Sequence, residues 1–130
     1  MASPRRYTIE EANALIPQVR AVILQVAVEQ RRLADLHAAI HRFREGNGDP
    51  AAAAQADRLE TEATQLEEEM RSLLLVLADM DVQLRDIQMG LVDFPGQRDG
   101  RDVWLCWRLA DPSVAFWHGT DEGYATRKPW

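Results

Sequence analysis

Two apolar seams at helical spacing, separated by one turn bearing glycine and proline, constrain this chain more than any other feature. Thr8 followed by Glu11 makes a capping box, in which the Thr hydroxyl accepts a backbone N–H and the Glu side chain reaches back to another. From that start, steps alternating three and four residues pick out Ala12, Leu15, Val19, Val22, Val26, Glu29, Leu33, Leu36, Ile40 and Phe43, of which only Glu29 is polar. Such a pattern is a coiled-coil-like seam, widened at its start by Ile16 and Ile23. Pro17 lies inside it, where it removes a donor and crowds the carbonyl of Asn13. A kink, or a short helix followed by a long one, is expected there.

Glu45-Gly46-Asn47-Gly48 is a helix stop with turn chemistry, and Asp49-Pro50 supplies an N-cap and a proline at the first helical position. The second seam runs through Ala52, Ala56, Leu59, Ala63, Leu66, Met70, Leu73, Leu77 and Met80. The two seams should face each other as an antiparallel hairpin over residues 8–80. About 30 residues at a rise of about 1.5 Å give arms of about 45 Å, long and thin for hiding apolar surface. Leu74, Leu75 and Val76 add apolar area outside the seam. A second copy, completing a four-helix bundle, would cover it, so a homodimer through the hairpin is expected.

After Asp81 the period changes from helical to alternating. Val82–Asp86 and Val103–Leu109 alternate as strands do, Leu91–Phe94 is a short apolar run, and Val114–His118 reads as a returning strand. Turn clusters at Pro95–Gly100 and at Asp111-Pro112-Ser113 separate them. Composition changes at the same place: residues 81–130 hold seven of the aromatics, and residues 1–80 hold only Tyr7 and Phe43. The expected fold is α+β and mainly α, one domain over 1–130. A long antiparallel helical hairpin is followed over 81–130 by a small antiparallel β-meander and an irregular tail from Gly119.

The segment Gly90-Leu91-Val92-Asp93-Phe94-Pro95, then Asp99-Gly100-Arg101, Leu105-Cys106-Trp107, Trp117-His118, Gly123-Tyr124 and Arg127-Lys128-Pro129, resembles an uncharacterised prokaryotic family, domain-of-unknown-function family 2203. The opening Tyr7-Thr8-Ile9-Glu10-Glu11-Ala12-Asn13 is similar to the family's start. Two positions depart from its pattern: Ala110-Asp111 stands where Gly-Glu is expected, and Asp81 where glycine is expected. The resemblance implies helices plus a small sheet and no activity.

His118 ends a strand close to Asp121 and Glu122 in sequence, and opposite Asp93 if the meander forms. A histidine oriented by a carboxylate can be a general base or a metal ligand. A strand-end His that pins the tail through a carboxylate accounts for the same residues, and the sequence favours it. Asp86, Asp93 and Asp111 with Arg101, Arg108 and Arg127 can pair with one another or line a pocket for an anion, and mutual pairing is favoured. Cys106 alternates with Trp104 on one strand face, and its aromatic flanks point to a buried thiol rather than a nucleophile. Trp104, Trp107, Trp117 and Trp130 suit a small core better than a ligand-stacking surface. His37 and His41 stand one helical turn apart, but no third ligand lies nearby and Ala38 occupies the place of a zinc protease's glutamate. Glu67-Glu68-Glu69 reads as a solvated face or as half of a set of ion pairs.

No catalytic residue, metal or cofactor is assigned. A net charge of -6 argues against general nucleic-acid or anionic-membrane binding, a single cysteine excludes an intrachain disulfide framework, and no segment has the form of a signal peptide or a bilayer span. The expected protein is bacterial, cytoplasmic and non-enzymatic: a self-associating helical interaction module whose protein partner is open. The alternative is a small-ligand or metal-binding protein, hydrolytic at most, with Asp86, Asp93, Arg101, Trp107, His118 and Arg127 as candidate ligand residues.

Overall fold

The computed structural model describes residues 5–46 and 48–130, in an α+β arrangement that is mainly α. Two long helices, α1 (Ile9–Arg44) and α2 (Pro50–Asp79), pack against each other. They are followed by a five-stranded antiparallel sheet, β1 (Gln83–Asp86), β2 (Leu91–Arg98), β3 (Arg101–Trp107), β4 (Phe116–Gly119) and β5 (Lys128–Pro129), with the strands in chain order. The chain forms two compact units, one made of the chain up to Leu24 together with Leu75–Trp130, the other Gln25–Leu74. Among the described residues no helix is long and apolar enough to cross a membrane.

In the Gln25–Leu74 unit, Val26 and Leu36 of α1 and Ala56 and Ala63 of α2 are buried. Around them the arms are laced by Arg32 with Glu62, His37 with Glu67, and Arg44 with both Asp57 and Glu60. These pairs are exposed, so they set register more than they add stability. Asp49 Oδ1 accepts the amide of Ala51 at 3.0 Å, the cap expected before Pro50. Of the turn expected before it, Asn47 lies outside the described residues. Glu29, the polar member of its seam, is buried, with one carboxylate oxygen taking an amide hydrogen of Gln25 at 3.1 Å and the other unpartnered.

In the other unit, the capping box closes as expected. Glu11 N donates to Thr8 Oγ1 at 3.1 Å and Thr8 N donates to Glu11 Oε1 at 3.0 Å. Pro17 does not divide the helix: α1 is one element, and Pro17 is exposed. Ala12, Ile16, Val19 and Ile23 form the buried stripe.

Asn13 reaches outside the helix, its Oδ1 accepting Val114 N–H at 2.7 Å and its Nδ2 donating to Val114 O at 3.1 Å. One side chain thus substitutes for a strand neighbour. Tyr7 does similar work with its backbone and its ring. Its amide donates to Pro95 O at 2.7 Å, its hydroxyl donates to Met80 O at 2.6 Å, and its ring meets Phe94 edge-on at 5.6 Å.

The sheet departs from expectation in three places. The cluster Pro95–Gly100 is not all turn: β2 continues to Arg98, and only Asp99 and Gly100 turn, with φ of 52° and 77°. Positive φ at both central residues is what a two-residue hairpin with the strands' own twist requires. Pro95 fits within the strand because its carbonyl serves Tyr7, and Gly96 fits because any Cβ there would lie 2.8 Å from Leu105 Cγ. Second, β3 covers Arg101–Trp107 rather than Val103–Leu109, and β4 covers Phe116–Gly119 rather than Val114–His118. Third, the tail carries a short 3-10 turn, Tyr124–Thr126, and then β5, which pairs with β4 through Phe116↔Pro129 and Trp117↔Lys128.

Candidate functional site

Register places the chemistry on one side of the sheet. Asp93 pairs with Cys106, and Trp104 pairs with His118. Since alternate residues of a strand point to one face, Asp93, Cys106, Trp104 and His118 share a face, while Phe94, Leu105 and Trp107 occupy the other. The latter face is apolar; Arg20 of α1 stacks over Trp107 at 5.6 Å, and Tyr7, just before α1, meets Phe94. The former is polar and is faced by the chain around Tyr124 and Arg127.

His118 and Asp93 are both buried, at 2% exposure each. Nε2 of His118 lies 3.1 and 3.0 Å from the two carboxylate oxygens of Asp93, and Nδ1 lies 2.9 Å from Gly119 O. A carbonyl can only accept, so Nδ1 donates to Gly119 O, and Nε2 is aimed at the carboxyl group of Asp93. Arg85 Nε donates to Asp93 Oδ2 at 3.0 Å, and its guanidinium stacks on Trp104 at 5.0 Å. Asp93 is therefore held from two sides, by the His118 ring and by the Arg85 guanidinium.

Beside the pair is Cys106, fully buried. Burial, with the negative charge of Asp93, pushes its thiol up to about 11, and Arg127 Nη1 opposes this from 3.9 Å. The thiol is protonated at neutral pH and is no nucleophile as it stands. One atom each from Asp93, Cys106 and His118 falls within 4.8 Å of the others.

Arg127 is held in turn by Asp111. Its Nη1 and Nη2 donate to Asp111 Oδ2 and Oδ1 at 2.7 and 3.1 Å, and its guanidinium lies 4.0 Å from the Phe116 ring and 4.7 Å from the Tyr124 ring. Burial raises the Asp111 carboxyl. The hydrogen bonds from Arg127, the Arg108 amide and the two positive charges outweigh it, so that the group sits below its ordinary value. The shorter acid at this position keeps a bidentate partner.

A cavity of about 380 Å³ opens over the buried pair, lined by Arg85, Asp93, His118, Trp104, Tyr124 and Glu122 among others. Glu122 is held below the usual carboxylate range, first by the Lys128 ammonium at 2.8 Å and then by the Gly119 amide. A wider groove of about 940 Å³ lies alongside, between Arg98, Arg101, Trp117 and Asp121.

Of the six ligand residues expected from sequence, Asp93 and His118 meet directly and Arg127 stands next to them through Cys106. Asp86 is exposed and accepts the Met89 amide at 3.0 Å, a turn role. Arg101 is exposed and lies in the wider groove. Trp107 is buried on the opposite, apolar face, its Nε1 donating to Asp111 O at 3.2 Å. Arg85 was legible only by continuing the alternation of β1 past Gln83, which pairs with Asp93, and the irregularity between Leu84 and Asp86 breaks that alternation. Tyr124 and Glu122, in the aperiodic tail, carry no periodic signal. His37 and His41 remain exposed, each beside a glutamate, Glu67 at 3.8 Å and Glu45 at 2.9 Å.

Residues 5–130 match the family described as Uncharacterized conserved protein (DUF2203). The chain belongs to that family. No curated protein and no solved structure matches it. Within this member, the two departures from the family's expected pattern have structural counterparts: Asp111 pairs with Arg127, and Asp81 adopts a φ of 60°, a conformation that glycine reaches without cost.

Proposed function

We propose that this protein binds a small organic anion in the cavity over His118 and Asp93, as a binding protein rather than an enzyme. The observation that carries the reading is the Arg85 guanidinium in the cavity wall, which gives Asp93 one hydrogen bond from Nε and has further donors to offer an anion, while Glu122 of the same cavity is neutralised by Lys128. Trp104 and Tyr124 give the cavity aromatic walls, suited to a planar apolar body carrying a carboxylate. Both nitrogens of His118 are engaged and the Cys106 thiol is protonated, which supports binding over general-base or nucleophilic chemistry. A reduced, buried thiol suits the cytoplasm, where we place the protein, in a bacterial host. Benzoate and inorganic phosphate, titrated in a thermal-shift assay, test the reading. Benzoate should raise the melting temperature by mass action, and Arg85→Gln should abolish the rise. A melting temperature indifferent to benzoate, or an equal rise in Arg85→Gln, would sink it.

A second reading, self-association through the helices, is supported by apolar side chains left in solvent. Val28 of α1 is 63% exposed and Leu75 of α2 is 53% exposed, with Leu24 and Leu74 also open. The partner that fits is a second copy of this chain. Light scattering on the eluting protein decides it, since a mass of one chain at micromolar concentration excludes the dimer.

A further inference from the structure

We propose that Asp93, Cys106 and His118 are the three protein ligands of a divalent transition-metal ion of the zinc type, with its open coordination position facing the cavity. Three donor types that zinc accepts, carboxylate oxygen, thiolate sulfur and imidazole nitrogen, converge from β2, β3 and β4 within 4.8 Å of one another. Tetrahedral ligation at bond lengths of about 2.0–2.3 Å needs donors about 3.4–3.8 Å apart. The upper bound of 4.8 Å on the present separations exceeds that spacing by about 1 Å.

The orientation of His118 is the second line of argument. Its Nδ1–H is committed to the Gly119 carbonyl at 2.9 Å, which leaves Nε2 aimed at the Asp93 carboxylate. Metal-bound histidines are held in this way, by a backbone carbonyl or carboxylate on the nitrogen that does not ligate. Arg85 on Asp93 and Arg127 near Cys106 are the outer partners that steady the other two ligands.

The setting of the sulfur is the third. Cys106 is fully buried with Arg127 Nη1 3.9 Å from its Sγ, and a divalent cation bound there would displace the thiol proton to water and leave the thiolate beside a guanidinium. The positive charge of Arg85 is unchanged, so the anion of the cavity reading, on which the open position rests, keeps its attraction.

The test uses the full chain, stripped with a chelator and titrated with Co²⁺ and then Zn²⁺. One equivalent of Co²⁺ should bind with a thiolate-to-cobalt charge-transfer band, and Zn²⁺ should displace it. Cys106→Ser should lose that band and bind at least tenfold more weakly, as should His118→Gln, with circular dichroism confirming the fold. Should these variants not fold, X-ray absorption of zinc-loaded wild type decides, with one sulfur scatterer at about 2.3 Å expected. A folded wild-type chain without the band, a zinc shell without sulfur, or an unchanged spectrum in Cys106→Ser overturns the proposal. Benzoate titrated into the stripped chain separates the two readings: a rise in melting temperature without cobalt binding leaves the anion site standing and removes only the metal.

Discussion

The amide of Val82 donates to the carbonyl of Leu77 at 3.0 Å, across Asp81, whose φ is 60°. With Asp81 N donating to Ala78 O at 2.9 Å, the two bonds form a Schellman motif, and both Leu77 and Val82 are buried in the apolar contact that accompanies it. An L-residue in this conformation costs about 1–2 kcal/mol, less for aspartate. Asp81→Gly should therefore stabilise the protein by about 0.5–1 kcal/mol, read as a rise of a few degrees in melting temperature. A fall would show that the Asp81 side chain does more than fill the position.

Asp111 and Arg127 tie the tail to the sheet, and the pair is mostly buried. Because the folded carboxyl titrates below its unfolded value, the contribution is complete above about pH 4 and is lost as pH falls through the lower, folded value. Arg127→Gln leaves a buried carboxylate with a weaker partner and should cost about 3 kcal/mol at pH 7. The deficit relative to wild type should shrink in acid, a pattern that urea denaturation at pH 7 and pH 3 would reveal. A deficit equal at both pH values would contradict it.

Asn13 satisfies both backbone groups of Val114. Asn13→Leu keeps the bulk and removes both partners, so about 1–3 kcal/mol should be lost from the denaturation midpoint. Asn13→Asp, which retains only the acceptor, should fall between the two. Equal stability of Asn13→Leu and wild type would mean that Val114 finds other partners.

Leu77 is buried at the end of α2, and Leu75 is exposed two residues before it. Leu77→Ala should cost about 2–5 kcal/mol whatever the oligomeric state. Leu75→Ser should leave monomer stability within about 0.5 kcal/mol and lower the mass measured by light scattering if the helices pair between copies. An unchanged mass in Leu75→Ser would remove that leucine from any interface.

The helices were legible because their signals are local. Thr8 with Glu11 and Asp49 with Pro50 mark starts through bonds spanning two or three residues, and the seams repeat one period for many turns. The alternation of β3 likewise separated Cys106 and Trp104 from Leu105 and Trp107, and so brought His118 and Asp93 to one face. What escaped was set by distant partners. Pro95 and Gly96 carry turn composition, yet Tyr7 and Leu105 hold them in a strand. Arg85, Glu122 and Tyr124 join the site from a strand with irregular register and from a tail without periodicity. Trp107 is a candidate ligand residue by sequence, yet the parity of β3 puts it with Leu105 on the helix-facing side.

Strands paired in chain order keep the links of the sheet short. Each strand can add to the edge left by the one before it, through a short link, so no long search for partners is needed. The β2–β3 pairing alone brings Asp93 and Cys106 together, whereas His118 requires β4 and Arg127 requires the docked tail. Full enclosure of the thiol therefore needs the whole sheet and the tail, not one hairpin. The rate at which Cys106 escapes an added alkylating reagent during refolding is therefore a clock for the completion of the sheet.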